Sequence, residues 1–410
     1  MNKPFILAIL DGWGLGEPRE GNAIFKARTP NFEHIENTYP SLSLQASGIA
    51  VGLMWGEAGN SEVGHLSIGA GRVIYQTLPR ILLSIRDESF FANPVFLAAA
   101  ERAKKNNSAL HLLGMVSSGS VHSYIDHLYA LLEFCNRQKL EKVFLHIITD
   151  GRDSSPQEAG KFIGQLRLRL EATSKAKIAS IGGRHFIMDR DGNWDRIKKA
   201  YDCLVEGKGV LIKDPVQYLK DAYAGGGDDQ HIEPAAVAGD DGAPVGLVKD
   251  GDALIFFNFR EDRARQISRV FVRPDFKEFE RKFMPDLYFA AMTEYEKGLP
   301  NVAFGPQKIE KTLAEVLAEN NLTQLHIAET EKYAHITYFL NGGKEEQLTG
   351  EDWTLVHSIK TPRHEEYPGM RAAEIAQKIL DVLSEDKYDF IAVNFANADM
   401  VGHSGDYRAT

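Results

Sequence analysis

The amino-acid sequence predicts an α/β protein with largely parallel sheets. Short apolar runs alternate with amphipathic stretches along the 410 residues, a pattern typical of strands that alternate with helices. Polar or charged residues directly follow several of the apolar runs, as is typical of parallel strands that end at a ligand site. The length predicts two or three domains.

The elements follow from local signals. The first apolar run, Pro4–Leu10, predicts a buried strand. Thr29-Pro30 predicts an N-cap and a first helical residue, and Asn93-Pro94 opens another helix. Further strands are expected at Ala109–Met115, Lys142–Thr149, Lys177–Ile181, Ala253–Asn258, Gln324–Ala328 and Tyr388–Asn394. Further helices are expected at His122–Arg137, Pro156–Glu171, Asp262–Phe271, Ile309–Glu319 and Arg371–Leu383. The Gly- and Asp-rich stretch 225–242 predicts a surface loop, with a cover over a site as the alternative.

Composition excludes several classes of protein. Hydrophobic residues make up 43% and charged residues 25% of the chain, which is ordinary for a globular protein. The net charge of −10 argues against general binding to nucleic acid or membrane surfaces, but a local basic pocket for an anion is compatible with it. Cys135 and Cys203 are too few for a disulfide framework and are expected to be reduced. No apolar run has the length of a membrane span, so we expect a cytoplasmic protein.

A serine at a glycine-flanked turn is the candidate nucleophile. In the stretch Gly59–His65, Ser61 lies where the backbone bends and a phosphate oxygen has room to approach; an ordinary turn is the alternative. Asp11 follows the first strand. Asp399 and His403 are four residues apart, so both face one cation if the segment is helical. A carboxylate with an imidazole suits Mn²⁺ or Zn²⁺ better than Ca²⁺.

Arginines follow three of the expected strands, which predicts a pocket for a small, highly anionic substrate. Individually, each of them is also compatible with a solvated surface position. They are Arg152, Arg184, Arg260 and Arg263, and a further arginine, Arg190, lies in the stretch Met188–Asp191. Asp153 adjoins the first of these, and His122 lies at an expected helix start. Lys332 follows another strand, where its charge suits a transferring phosphoryl group, although a surface lysine is the alternative.

Seven motifs occur in order and cover almost the whole chain. They are LDGWG at Leu10–Gly14, GNSEVGHLSIGAGR at Gly59–Arg72, TDGRD at Thr149–Asp153, MDRDGNWDR at Met188–Arg196, FNFREDRARQI at Phe257–Ile267, AETEKYAH at Ala328–His335 and NFANADMVGH at Asn394–His403. Through them the chain resembles the cofactor-independent, or 2,3-bisphosphoglycerate-independent, phosphoglycerate mutases of the alkaline phosphatase superfamily.

The resemblance implies two domains. An alkaline-phosphatase-like sheet domain with the metal site would comprise residues 1–76 and 310–410. An α/β phosphotransferase domain, residues 77–309, would be inserted into it, with linkers near 75–79 and 301–307. The implied reaction interconverts 3-phosphoglycerate and 2-phosphoglycerate through a phosphoserine. Two Mn²⁺ ions, or Mg²⁺ in some members, and no organic cofactor are implied, and we expect a monomer.

The resemblance also implies residue roles. Asp11 and Ser61 resemble the ligands of one metal, and Asp399 and His403 those of the other. Ser61, Asp153 and Lys332 are the implied catalytic residues, Asp153 as a proton relay between the two substrate hydroxyls. The implied substrate ligands are His122, Arg152, Asp153, Arg184, Arg190, Arg260, Arg263 and Lys332.

The sequence departs from the family pattern after His403. The family continues there with an Asp-His pair and a later His that complete the two metal sites, and neither occurs before Thr410. We expect an incomplete sequence, with a truncated protein that binds metal poorly as the alternative. Two other functions stay open: a phosphatase or phosphopentomutase of the same superfamily, and a remnant that binds phosphoglycerate without turnover.

Overall fold

The computed structural model describes residues 4–173 and 175–410, and the chain divides into two units. Unit 1 comprises residues 1–79 and 307–410, and unit 2 comprises residues 80–306. Unit 2 thus begins three residues later and ends three residues earlier than the expected insertion, 77–309. The first expected linker is partly helical, because Thr77–Arg86 forms a helix. Pro79 lies in its first turn, where the missing N–H costs no hydrogen bond.

Two sheets form the frame of the described residues. The strands are β1 (Phe5–Leu10), β2 (Leu110–Met115), β3 (Val143–Thr149), β4 (Lys177–Gly183), β5 (Val210–Ile212), β6 (Ala235–Val237), β7 (Ala253–Phe256), β8 (Tyr288–Thr293), β9 (Val302–Phe304), β10 (Gln324–Glu329), β11 (Glu351–Val356) and β12 (Phe390–Phe395). In unit 1 the order is β1-β12-β10-β11, and in unit 2 it is β5-β6-β4-β3-β2-β7-β8-β9. Only the β4–β6 pairing is antiparallel among these described strands, which confirms the α/β class with largely parallel sheets.

The helices carry the chain between these strands. They are α1 (Ala23–Lys26), α2 (Pro30–Thr38), α3 (Ser61–Ala70), α4 (Thr77–Arg86), α5 (Pro94–Lys105), α6 (Ile125–Arg137), α7 (Ala159–Thr173), α8 (Arg184–Ile187), α9 (Trp194–Glu206), α10 (Pro215–Ala224), α11 (Arg265–Val272), α12 (Leu313–Glu319), α13 (Thr330–Ala334), α14 (Ala372–Ser384) and α15 (Asn397–Gly402). The predicted starts of α6, α7 and α11 are each three residues too early. The residues before these helices form loops instead, and His122 and Asp262 lie in two of those loops.

The prediction that the first strand is buried is wrong. β1 lies at the edge of its sheet and pairs only with β12 among the described strands. Phe5 is 67% exposed, and most of the strand is exposed or half-buried. An apolar run is compatible with any position in a sheet, so composition alone did not reveal the edge position.

The prediction of a plain surface loop at 225–242 is also wrong in part. Within it, β6 pairs with both β4 and β5. Asp229 is fully buried, and its Oδ2 accepts hydrogen bonds of 2.9 Å from the backbone N–H groups of Glu158 and Ala159 at the start of α7. This carboxylate therefore caps a helix from inside the expected loop.

Apolar side chains of helices and strands form the core of each unit. In unit 2 the largest cluster includes Phe96, Leu112 and Phe134, all fully buried, and Cys135 packs within it. Burial raises the pKa of the thiols of Cys135 and Cys203 to about 12, so both are unreactive core residues at neutral pH. Among the described residues, no helix is long and apolar enough to cross a membrane.

A buried histidine on α6 makes unit 2 sensitive to acid. His127 is fully buried against the ring of Phe259, and neither ring nitrogen has a hydrogen-bond partner in the described part of the chain. Burial lowers its pKa from 6.5 to about 3. Below pH 6.5 the unfolded chain therefore binds a proton that the folded chain does not. Stability is then lost as the pH falls from 6.5 towards 3, by about 1.4 kcal/mol per pH unit.

We expect His127→Phe to remove this one-proton loss. Urea unfolding at pH 7 and pH 5 measures it, because the other histidines are present in both proteins. The parent chain should lose about 2 kcal/mol more than the variant between the two pH values. Equal losses would show that His127 does not control acid stability.

Candidate functional site

Ser61 is the first residue of α3, and its neighbours in the sequence determine this position. Asn60 is the N-cap, and its side-chain oxygen accepts a hydrogen bond of 3.0 Å from the N–H of Val63. Gly59 packs so closely that a Cβ there would lie 1.8 Å from the carbonyl oxygen of Ala46. Ser61 therefore lies at a helix N-terminus, where backbone N–H groups and the helix dipole favour negative charge.

Asp11 and Asp399 follow neighbouring parallel strands, β1 and β12. The N–H of Asp11 donates to the carbonyl of Phe395 at 3.1 Å, and the N–H of Asp399 donates to the carbonyl of Asp11 at 3.0 Å. Gly12 has φ +78°, and a Cβ there would lie 2.3 Å from the nitrogen of Asp399. The glycine after Asp11 thus allows the two backbones to meet.

One hydroxyl, two carboxylates and one ammonium group converge here. Ser61 Oγ lies 3.0 and 2.9 Å from the two carboxylate oxygens of Asp11. Lys332 Nζ donates to Ser61 Oγ at 2.7 Å, and it forms ion pairs with Asp11 Oδ2 at 3.1 Å and with Asp399. Lys332 is buried, so its ammonium group is stabilised by these contacts and not by bulk water. The alternative of a surface lysine at this position is therefore wrong.

The charge of Lys332 keeps Asp11 ionised. Burial raises the pKa of the Asp11 carboxyl, but the nearby Lys332 charge and the hydrogen bonds from Lys332, Asn394 and Ser61 outweigh burial and lower it overall. Asp11 is therefore a carboxylate at neutral pH, and it accepts the serine proton as a hydrogen bond.

His65 and Asn394 form a hydrogen-bond network with Ser61 and Asp11. The Asn394 side-chain nitrogen lies 3.2 Å from Asp11 Oδ2 and 2.9 Å from His65 Nε2, and His65 Nδ1 lies 2.7 Å from the carbonyl of Ser61. Burial lowers the pKa of His65, so the ring is neutral. A neutral ring in this setting donates from Nδ1 to Ser61 and accepts at Nε2 from Asn394. A cavity of about 360 Å³ adjoins Asp11, Ser61 and Asp399.

The two expected metal-ligand pairs are incomplete as metal centres. Asp11 and Ser61 are adjacent, and His403 Nε2 lies 3.3 Å from Asp399 Oδ1 on a helical turn, with the imidazole 76% exposed. Across residues 4–173 and 175–410, no group of three or more His, Cys, Asp or Glu side chains is placed to hold a metal ion. Oxygen and imidazole donors suit Mn²⁺ chemically, but two side chains do not make a stable centre.

In unit 2 the expected anion-binding residues follow four adjacent strands. The sheet order places β4, β3, β2 and β7 side by side. Because parallel strands end at one edge, the loops after them meet there. Arg184 begins α8 directly after β4, and the loops carry Arg152 and Asp153 after β3, His122 after β2, and Arg260 and Arg263 after β7.

Arg184 is the buried member of this set. It is 3% exposed, and its Nη1 lies 2.5 Å from Asp150 Oδ1 and 2.6 Å from Asp153 Oδ2. Asp150 is itself buried and also accepts from Ser117 Oγ at 2.9 Å and from the N–H groups of Arg152 and Asp153. Asp150 therefore fixes both Arg184 and the loop that carries Asp153.

Two further arginines pair with a second carboxylate. Asp262 forms ion pairs with Arg190 and Arg260. Arg263 donates to the carbonyl of Met188 at 3.1 Å. Burial lowers the pKa of Arg263, and the positive charges of Arg184, Arg190 and Arg152 lower it further. These guanidinium groups are close enough to repel one another. A bound anion would offset that repulsion, so the cluster suits an anionic ligand.

Sequence reasoning missed Asp150, Asp262 and Asn394. Each lies inside a motif that was already identified, but none was named as a site residue. The signal available was a carboxylate beside an arginine directly after a strand, since a buried guanidinium needs a counter-ion. Asn394 gave a weaker signal, as a polar residue within an otherwise apolar strand.

The chain is similar to known proteins in sequence and in structure. A family model described as BPG-independent PGAM N-terminus (iPGM_N) matches residues 81–297. The chain is 48% identical over 409 residues to 2,3-bisphosphoglycerate-independent phosphoglycerate mutase 1 of Methanosarcina barkeri, covering 99% of this chain and 79% of that protein. It is 48% identical over 411 residues to the 2,3-bisphosphoglycerate-independent phosphoglycerate mutase of Moorella thermoacetica, covering 100% and 80%.

A solved structure is similar over the whole chain. It is a crystal structure of Leishmania mexicana phosphoglycerate mutase at low cobalt concentration, with 30% sequence identity and a TM-score of 0.58. The match covers 100% of this chain and 77% of that one.

Proposed function

The chain belongs to the family of 2,3-bisphosphoglycerate-independent phosphoglycerate mutases, and we propose that it moves the phosphoryl group of phosphoglycerate through Ser61. The family's reaction interconverts 3-phosphoglycerate and 2-phosphoglycerate in glycolysis. The observation that carries the proposal is the contact of the Ser61 hydroxyl with both the Asp11 carboxylate and the Lys332 ammonium.

These contacts suit a nucleophile. Asp11 accepts the hydrogen of Ser61 Oγ, which directs an oxygen lone pair away from the carboxylate. When Oγ bonds to phosphorus, its proton passes to Asp11, the bond from phosphorus to the glycerate oxygen breaks, and that oxygen takes up the proton that Asp153 supplies. Lys332 and the N-terminus of α3 provide positive charge for the phosphoryl oxygens. In the return step, the other glycerate hydroxyl gives its proton to Asp153 and attacks the phosphoserine, and Ser61 leaves and takes its proton back from Asp11.

The arginine cluster of unit 2 suits the glycerate part of the reaction. Arg184 is held rigidly by two carboxylates, and a pre-arranged guanidinium loses little freedom when it binds an anion. We propose that the cluster binds the carboxylate and phosphate groups, and that Asp153 moves a proton between the two hydroxyls. Held in this way, the glycerate stays bound while its position changes.

Paired assays separate this function from that of a phosphatase in the same superfamily. We expect conversion of 3-phosphoglycerate to 2-phosphoglycerate, with little hydrolysis of p-nitrophenyl phosphate. Hydrolysis of p-nitrophenyl phosphate without mutase turnover would assign the chain to a phosphatase. Binding of phosphoglycerate without either reaction would assign it to a non-catalytic binding protein.

The family is metal-dependent in general. We propose that Asp11 with Ser61, and Asp399 with His403, are two partial ligand sets for Mn²⁺. Each set has only two side chains. The phosphoryl-transfer steps are therefore described without a bound metal ion. Lys332 supplies the positive charge that the described groups share.

Metal analysis of the purified chain tests this assignment. After dialysis against metal-free buffer, we expect substoichiometric Mn²⁺ by mass spectrometry, since centres of this kind use three or four side-chain ligands. Two equivalents of retained Mn²⁺ would show that the chain supplies ligands beyond the four named. The expected monomer and its cytoplasmic location stay predictions, which light scattering and cell fractionation test.

A further inference from the structure

One carboxylate in unit 2 contacts three of the residues expected to bind substrate. Asp262 Oδ2 lies 2.7 Å from Arg190 Nη1, and Asp262 Oδ1 lies 3.2 Å from Arg260 Nε. The same Oδ1 lies 3.6 Å from His122 Nδ1. Asp262 itself comes from the loop between β7 and α11, and its side chain is 22% exposed. Asp262 is not among the expected substrate ligands.

The two arginines need a partner to hold a defined position. The side chains of Arg190 and Arg260 are 44% and 47% exposed, so water competes for both guanidinium groups. Long, exposed side chains lose freedom when a ligand fixes them, and this loss weakens binding. A carboxylate that already holds both groups reduces that loss before the ligand arrives.

His122 lies between two carboxylates and has an unpaired nitrogen. It is 3% exposed, and its buried Nδ1 has no hydrogen-bond partner within the described ranges. Its Nε2 lies 3.8 Å from Asp153 Oδ2, which also accepts from Arg184. Burial and the charge of Arg184 lower its pKa to about 4, so the ring is neutral and carries one proton at neutral pH. A buried nitrogen without a partner is costly. At 3.6 Å the Asp262 carboxylate makes no hydrogen bond with Nδ1, but its negative charge favours a proton on the ring nitrogen that faces it.

We propose that Asp262 is a positioning residue of the anion site: it holds Arg190 and Arg260 in place and keeps the proton of His122 on Nδ1. His122 Nε2 is then a hydrogen-bond acceptor for a substrate hydroxyl. The inference rests on the proposed function, because it takes phosphoglycerate as the ligand of this cluster.

Titration calorimetry of the full chain with 3-phosphoglycerate tests the first part. We expect Asp262→Asn to bind about tenfold more weakly than the parent, on the scale of reordering two long side chains. Glu261→Gln is the matched control, since it removes the same charge from an exposed neighbour on the same loop and should leave the affinity unchanged. Equal or tighter binding by Asp262→Asn would overturn the proposal, because Asp262 would then be neutral or a competitor of the ligand.

Nitrogen NMR of labelled histidine tests the second part without a ligand. The His122 signal is identified by its loss in His122→Gln. It should report a proton on Nδ1 in the parent. In Asp262→Asn it should report a proton on Nε2, or a mixture of the two tautomers. A protonated Nε2 in the parent would overturn the proposal whether or not the variant folds. If the parent fails to bind 3-phosphoglycerate, the assignment of the cluster as the substrate site fails, and the NMR result still decides the Asp262–His122 contact.

Discussion

Ser61→Ala is expected to abolish mutase turnover, with a loss of about 10⁴-fold or more, the scale seen when an enzyme loses its nucleophile. The variant keeps the helix, because Asn60 caps α3 through its own side chain. It removes only the oxygen that Asp11 and Lys332 contact. The rate of 2-phosphoglycerate formation measures the effect.

Ser67→Ala is the matched control for this variant. Ser67 lies on the same helix, and its hydroxyl is buried without a hydrogen-bond partner in the part of the chain that the structure describes. We expect it to keep the turnover of the parent. Ordinary turnover by Ser61→Ala would exclude a route through this serine.

Arg184→Met is expected to destabilise unit 2 by about 3–5 kcal/mol, the scale for breaking a buried ion pair. Asp150, whose side chain is fully buried, would lose its only cationic partner among the described residues. Binding of 3-phosphoglycerate should be lost as well. Urea unfolding and titration calorimetry measure the two effects.

Arg190→Met separates binding from stability. Arg190 is 44% exposed, and its partner Asp262 also pairs with Arg260. We therefore expect a stability change of less than about 1 kcal/mol, as for exposed ion pairs, together with weaker binding of 3-phosphoglycerate. Similar stability losses in both variants would contradict the buried and exposed roles assigned to these arginines.

The sequence predicted the fold class and the positions directly after strands where Asp11, Arg152 and Arg260 lie. Both depend on local patterns: apolar runs of strand length, and polar residues directly after them. The position of β1 was not predictable, because an apolar strand looks the same at the edge and at the centre of a sheet. Helix starts were placed too early at α6 and α11, since helix-compatible residues there form loops that hold His122 and Asp262.

The contacts within the site required the three-dimensional structure. Ser61 meets Asp11 across 50 residues and Lys332 across 271 residues, separations that no spacing rule covers. The resemblance to a family implied that these residues act together. Composition and spacing gave no such indication. The supporting carboxylates Asp150 and Asp262 were not predictable, because only the structure shows which acidic side chain each arginine contacts.

Rapid quenching of the chain during turnover, followed by mass spectrometry of its peptides, tests the central claim most directly. With 3-phosphoglycerate present, we expect one phosphoryl group on the peptide that contains Ser61, and none on that peptide in Ser61→Ala. The phosphopeptide should form and disappear fast enough to account for the rate of 2-phosphoglycerate production. Mutase turnover with Ser61 unmodified at every quench time, or phosphate on another residue, would contradict the account.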